Sequence, residues 1–575
     1  MKFLNKYIKK YWKLFCGALF FLILETVCDL IQPTIMSKIV DIGVAKNDMN
    51  FVLSKSMLMI GITGLGAIGA TGRNIIASNV SQRFGTELRI DLFTKIQKLP
   101  FKTIDKYDGA SLVTRLTNDV TQIQNFVNGL MRIFAKAPIL CLGSLIMAIK
   151  LNRRMSLIFF AIIPIIFILI AINMKIGYPM FTKVQNSLDK VNSVMREYLQ
   201  GVRVVKAFNR FDYETSRFEM CNENLTNISS KTLKIMAIFS PLITLSVNLC
   251  IVLILWIGGT KVNNGTMQVG EIIAFVNYMT HILFSLMIIS RVFTVFVKAS
   301  ASCERINEIF SEKLDENEVN IKLEENNIKG KVEFNNVSFS YCDEIGDIVL
   351  NNINFTLDTS ETLGIIGSTG SGKSTIANLI MGFYKPNSGD IKINNVNIEN
   401  INRKDLRNKI SIVPQKVVLF SGTIIDNIKI GKNSATYEEV EKASILANAH
   451  DFIKEFKDGY NTTLGQGGVN LSGGQKQRIS IARALVKNPE ILILDDSVSA
   501  LDAVTEENIR NSLKEYSNSL TSIIIAQRIT SVMHADKILV LDGGCVAGIG
   551  THEELSKNCE VYKEILLSQV GKEMM

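Results

Sequence analysis

Nine cysteines are spread over 575 residues with no Cys-x-x-Cys pair and no metal-ligand spacing, so neither a zinc site nor a disulfide framework is implied. Cys16, Cys28, Cys141 and Cys250 sit inside apolar runs, where a thiol acts as a small hydrophobe. Aromatic and basic residues do not interleave either. With 63 Lys and Arg against 54 Asp and Glu, the net charge of +9 therefore points to anionic lipid headgroups and away from nucleic acid. A cleavable signal peptide is also missing. Lys6, Lys9, Lys10 and Lys13 precede an apolar stretch, but Glu25, Asp29 and Pro33 follow without a small-residue cleavage site, so a retained membrane span is expected.

What is present divides the chain in two. The length allows roughly three or four domain-sized units, and the 47% hydrophobic content is concentrated toward the N-terminus. Six segments are long enough to cross a bilayer, approximately Leu14–Met36, Met57–Ser78, Ile133–Ile149, Ser156–Ile176, Ile238–Gly259 and Glu271–Phe293. The third begins poorly, because Lys136 and Pro138 interrupt it. An even number of crossings puts the Lys-rich N-terminus, the basic connections 79–132 and 177–237, and the C-terminal domain on the cytoplasmic side. Both connections read as cytoplasmic extensions of membrane helices, with turns at Pro100-Phe101 and at Phe208-Asn209-Arg210-Phe211. Amphipathic helices lying on the membrane surface are the alternative.

Carboxylates inside a span are costly and are functional candidates. Glu25 and Asp29 are four apart and share a helix face. Asp29 is expected near the outer end, hydrated; Glu25 is expected to face a polar cavity or a partner helix. Arg73, Asn74, His281 and Arg291 are lesser candidates.

From 312 to 329 the sequence turns polar, as a linker does. Val332-Glu333-Phe334 and Val337 to Tyr341 then alternate as strands. Next comes Gly367-Ser368-Thr369-Gly370-Ser371-Gly372-Lys373-Ser374-Thr375, between an apolar strand and a helical run. That is the context a phosphate-binding loop requires: glycines let backbone N–H groups curl around a polyphosphate, Lys373 reaches the β- and γ-phosphates, and Ser374 ligates Mg²⁺. Further on, Ile491 to Leu494 deliver Asp495 at a strand end, where a carboxylate can hold the Mg²⁺ hydration shell. Between them lies Leu471-Ser472-Gly473-Gly474-Gln475, a second anion-binding turn at a helix start. One nucleotide does not need two such loops.

With these motifs in this order, followed by Ser499-Ala500-Leu501-Asp502, the chain resembles an ATP-binding cassette (ABC) exporter half-transporter over essentially its whole length. The resemblance implies an all-α six-helix transmembrane domain with long cytoplasmic helical extensions, fused to an α/β P-loop nucleotide-binding domain. Its boundaries are 1–311 for the membrane domain with coupling regions near 100–108 and 208–218, 312–329 for the linker, and 330–575 for the cassette. It implies that two cassettes dimerise head to tail around ATP and Mg²⁺. Tyr341 would stack on adenine, and Gly367 to Thr375 would cradle the phosphates. Ser374, Gln415 and Asp495 would serve the metal, the last through water. Leu471 to Gln475 and Asp502 would act in trans on the partner's nucleotide.

Two positions depart from the family pattern. The catalytic Glu after the Mg²⁺-binding Asp is here Asp496, shorter by one methylene, and a misplacement of about 1 Å can cost about a hundredfold. The switch His is here Gln527, which can hydrogen-bond a phosphate but cannot become cationic. Gln466, where an acidic residue is common, is a smaller departure. Asp496 and Gln527 together suggest a heterodimer in which this chain's own site is impaired while its Leu471–Gln475 loop serves the partner's site. The expected partners are a second ABC half-transporter, membrane lipids, and an amphipathic cargo (drug-like molecule, lipid or peptide), exported across a bacterial plasma membrane. No peptidase domain with Cys and His precedes the first span, so cargo processing is not expected. A slow homodimeric exporter and a nucleotide-gated regulator that moves no cargo remain as alternatives.

Overall fold

The computed structural model of the chain describes residues 4–314, 329–341, 348–497, 501–516 and 520–570. The side chain of Arg291, residues 315–328 of the expected linker, and Ser499 and Ala500 lie outside the described residues. Two compact units result, Met1–Gln97 with Tyr107–Glu312, and Lys98–Lys106 with Lys313–Met575.

The first unit is built from six apolar helices: α1 (Leu4–Lys38, continued by a π-helical Ile39–Val44), α2 (Met49–Gln97), α3 (Gly109–Leu151, with π-helical turns), α4 (Leu157–Ala207), α5 (Phe211–Asn263) and α6 (Val269–Ser311). Helices α2, α4 and α5 contain 49, 51 and 53 residues. At 1.5 Å per residue they reach about 75–80 Å, far beyond the roughly 30 Å of bilayer hydrocarbon. They therefore extend beyond the bilayer without a break, rather than turning onto its surface. At the tip between α4 and α5, Asn209 turns the chain with a φ of 50°.

Buried positions recur at helical spacing. Phe159, Ile162, Ile166 and Ile170 on α4 meet Ile243, Val247 and Ile254 on α5 and Phe275, Tyr278 and Ile282 on α6, while Phe160, Phe167 and Ile168 point outward as lipid-facing side chains do. The poor start of the third span has a visible form, a π-helical turn at Leu130–Phe134. Pro138 has no N–H to give the carbonyl of Phe134, so regular α-helical pairing fails there.

The intramembrane charges pair with one another. Glu25 accepts from Arg73 Nε at 2.8 Å and from Lys136 Nζ at 2.7 Å, and all but about a tenth of the Glu25 and Arg73 side chains is buried. Asp29, expected near the outer end, is partly exposed and pairs with Lys136 at 2.8 Å. The cation that spoils the third span is the partner that makes both carboxylates tolerable.

The second unit is an α/β domain. Its antiparallel layer has the order β2-β1-β4-β5, from β1 (Val332–Phe339), β2 (Leu350–Leu357), β4 (Ser388–Ile393) and β5 (Val396–Asn397). The two short strands expected before Tyr341 are one strand, with register breaks past Phe334 where Asn336 takes a φ of 50°. The central sheet contains β3 (Thr362–Gly367), β6 (Ile410–Val413), β7 (Ile491–Asp495), β8 (Thr521–Ile525), β9 (Lys537–Asp542) and β10 (Cys545–Gly550). Its order is β10-β9-β3-β8-β7-β6, parallel apart from β10. Ile525 lies opposite both Ile365 and Asp495, and Val413 opposite Leu494, so four strands end at one level. Ligands of open parallel sheets bind at such carboxyl ends.

Glu25 supplies a test of the membrane unit. Glu25→Gln strands Arg73 without its carboxylate and should cost about 3 kcal/mol or more. A lowered thermal midpoint in lipid nanodiscs is expected, partly recovered by adding Arg73→Gln; an unchanged midpoint would contradict a buried charge pair.

Candidate active site

The strand ends converge on a cleft of about 300 Å³ lined by Thr369, Gly370, Gly372 to Thr375, Gln415, Asp495, Asp496 and Gln527, with Val349, Ile525 and Ala526. The loop leaving β3 curls through Gly370 (φ 85°) and Gly372 (φ 94°) into helix α7 (Lys373–Ile380). A Cβ on Gly372 would lie 2.5 Å from Leu350 Cδ2, so both the conformation and the space demand glycine. Ser368, Thr369 and Gly370 form the exposed lip, whereas Ser371 is buried and its hydroxyl has no partner among the described residues. Lys373 folds back to donate to the carbonyls of Gly367 and Ser368 at 2.9 and 2.8 Å. Burial pushes its ammonium pKa down, against the pull of the Asp496 and Asp495 carboxylates.

Beside the loop, Ser374 Oγ donates to Asp495 Oδ1 at 3.0 Å. Burial pushes the Asp495 carboxyl above its ordinary range, the neighbouring Asp496 adds to this, and Ser374 and Lys373 oppose it. A hydroxyl and a carboxylate, both hard oxygen donors, at the edge of a glycine cradle that a Cβ would obstruct suit Mg²⁺ and a polyphosphate. When bound, the ion supplies neutralising charge on the β- and γ-phosphates.

Asp496 follows on a left-handed backbone, φ 48°, its N–H held by the carbonyl of Ile525 at 2.8 Å. Its Oδ2 accepts from Gln415 Nε2 at 3.1 Å and from Gln527 Nε2 at 2.9 Å. Asp496 and Gln527, the two positions singled out in the sequence and 31 residues apart, are thus in direct contact. Gln527 is fixed from behind: Gln569, on the helix Glu560–Val570, donates to the Gln527 carbonyl at 2.7 Å and accepts from Ile529 N–H at 2.8 Å.

Tyr341 is 38% exposed, and its hydroxyl is 3.2 Å from Thr375 Oγ1. Its ring meets Tyr384 edge-on at 5.1 Å. Tyr384 in turn donates to Asp105, and Phe383 contacts Phe101 at a ring separation of 4.4 Å, both within the Lys98–Lys106 segment of the same unit. Burial, then the Asp105 carboxylate, raise the Tyr384 phenol pKa.

Leu471 to Gln475 and Asp502 do not line this cleft. Leu471 is buried, while Ser472 and Gly473 are exposed at the start of helix α8 (Gly473–Leu485). Ser472 Oγ accepts from Gln475 N–H at 3.3 Å, and Gln475 Oε1 accepts from Ser472 N–H at 2.9 Å, a capping box that holds the loop in shape. Asp502 accepts from the Thr505 N–H and hydroxyl at 3.0 and 2.8 Å.

A family profile described as the ABC transporter transmembrane region matches residues 15–287, and one described as ABC transporter matches residues 350–499. The ABC transporter ATP-binding protein YfiB of Bacillus subtilis is 39% identical over 567 residues, covering 99% of this chain and 98% of its own. The chain belongs to the ABC transporter family. An ABC transporter ATP-binding protein of Mycobacterium tuberculosis is 34% identical over 574 residues, covering 98% and 97% of the two chains. A solved bacterial Atm1-family ABC exporter with ATP bound is similar in fold, with a TM-score of 0.81 at 25% identity, covering 97% of this chain and 99% of that one. This ABC protein is thus an exporter-type half-transporter. Its ATP-binding domain implies an ATPase coupled to transport, and half-transporters of the family work as dimers.

Sequence reasoning missed Gln569. A Gln in this stretch carries no motif, and only the packing of the helix Glu560–Val570 brings it to Gln527. Gln569→Ala removes two hydrogen bonds worth about 1 kcal/mol each. Amide exchange at Ile529 should quicken by roughly fivefold or more; unchanged exchange would show that Gln569 does not hold the loop.

Proposed function

We propose that this ABC protein is one half of a heterodimeric bacterial exporter. It binds Mg²⁺ and ATP in its own cleft but hydrolyses the nucleotide slowly, while its Leu471–Gln475 loop completes the partner's working site. The observation that carries the reading is the Gln527–Asp496 contact. Two departures from a pattern that hydrogen-bond each other act as one altered unit, which argues for a shared specialisation over independent drift.

The chain's residues then divide the work. Tyr341 stacks on adenine, backbone N–H groups of Gly367 to Thr375 and the Lys373 ammonium hold the phosphates, and Ser374 and Asp495 hold the metal with Gln415 beside it. Asp496 is the base position. Being one methylene short and engaged by two amides, its carboxylate meets attacking water poorly, and Gln527 offers the γ-phosphate no positive charge. Nucleotide binding closes the cassettes, and hydrolysis at the other site reopens them. Tyr384 links the adenine platform to Lys98–Lys106, the segment proposed to transmit closure. The cargo is an amphipathic molecule carried across the plasma membrane.

The purified chain alone should hydrolyse ATP near background. In the assembled dimer, Asp496→Glu with Gln527→His should raise hydrolysis at this site on the order of a hundredfold. Each single change should fall well short, because the two side chains are joined by a hydrogen bond and couple. Brisk turnover by the unmodified chain alone would overturn the heterodimer.

A further inference from the structure

Inside the membrane unit a cavity of about 590 Å³ has a mixed lining, in which Leu140, Ile288 and Val292 occur together with Asn74, Asn125 and Arg132. The volume falls in the range of small-molecule sites. Arg73, Arg132 and Lys136 border it, and the carboxylates that pair with them are Glu25 and Asp29. Glu25 serves Arg73 and Lys136 together, and Asp29 serves Lys136. Among the described residues no carboxylate closes on Arg132, so the cluster keeps one positive charge.

The Arg132 guanidinium is oriented by its inner edge. Its Nε donates to Asn74 Oδ1 at 2.9 Å, and its backbone carbonyl accepts from Arg73 Nη1 at 2.5 Å, which fixes the turn that carries it. Among the described residues neither terminal nitrogen has a partner. A guanidinium anchored through Nε presents its outer nitrogens as a planar fork, the geometry that grips a carboxylate or phosphate with two parallel hydrogen bonds. Leaving such a cation unpaired beside apolar side chains is costly unless something occupies it.

We propose that this cavity binds an amphiphilic anion, its carboxylate, sulfate or phosphate head on Arg132 beside Asn74 and Asn125, and its apolar body along Leu140, Ile288 and Val292. The inference deepens the transport reading, on which it rests for the view that the occupant is cargo; the charge selectivity of the cavity stands without it. The anionic head belongs either to a free amphiphile or to a membrane lipid, and the two share the recognition chemistry.

The test is equilibrium binding to the full-length dimer in phosphatidylcholine nanodiscs, using a pyrene-labelled alkyl phosphate and a pyrene-labelled alkylammonium of equal chain length. The phosphate should bind the unmodified protein at least about tenfold more tightly than the ammonium, and Arg132→Gln should weaken the phosphate by about tenfold or more with Arg132→Lys between them. Adding phosphatidylglycerol to the nanodiscs separates the sources. Competition with the probe identifies a lipid headgroup, and undiminished probe binding identifies a free amphiphile. Equal affinity for the two probes in the unmodified protein, or unaltered phosphate binding by Arg132→Gln, would overturn the proposal. Selective binding without any vesicle accumulation of the alkyl phosphate would instead count against transport and leave the anion site standing.

Discussion

One carboxylate oxygen, Asp496 Oδ2, takes a hydrogen from Gln415 and another from Gln527, and the functional account turns on that arrangement. Three chain segments must converge for it to exist. The register of the parallel sheet, with Ile525 opposite Asp495 and Val413 opposite Leu494, ends their strands at one level. The left-handed backbone of Asp496 then turns its side chain toward the amides, and Gln569 holds the Gln527 loop from the far side. Neutral amides satisfy the carboxylate without adding charge. The phosphate cradle and the Ser374–Asp495 pair lie in the same cleft as this arrangement.

The membrane unit follows a related logic with opposite polarity. Burying Glu25 is tolerable because Arg73 and Lys136 converge on it, and Lys136 is tolerable because Asp29 shares it. Pairing uses up the carboxylates before the cations, so the remaining charge on Arg132 faces a cavity with apolar walls. In the cassette, a string of aromatic contacts runs from Tyr341 through Tyr384, with Asp105 at its end. Tyr341 and the Lys98–Lys106 segment thereby share a neighbour in Tyr384.

Much of this was legible in the sequence, for local reasons. A strand, a glycine loop and a helix are contiguous, so Gly367 to Thr375 reveal their geometry in nine letters, as do Ile491 to Asp495 and the Ser472–Gln475 capping box. Six apolar stretches suffice to predict six membrane helices. What escaped depends on contacts between distant segments. Lys136 read as a flaw in the third span because its partners lie 111 positions away at Glu25 and on the next turn at Asp29. Gln569 reaches Gln527 across 42 residues, and the contact between Asp496 and Gln527 turned two separate oddities into one unit.

The most direct test follows the fate of the nucleotide on this chain. The assembled dimer would be turned over with photoreactive azido-ATP labelled at either the α- or the γ-phosphate, cross-linked during steady state, and separated into its two subunits. The account predicts that label on the phosphate loop of this chain keeps its γ-phosphate while label on the partner's loop has lost it. Equal loss of the γ-phosphate from both chains would contradict it.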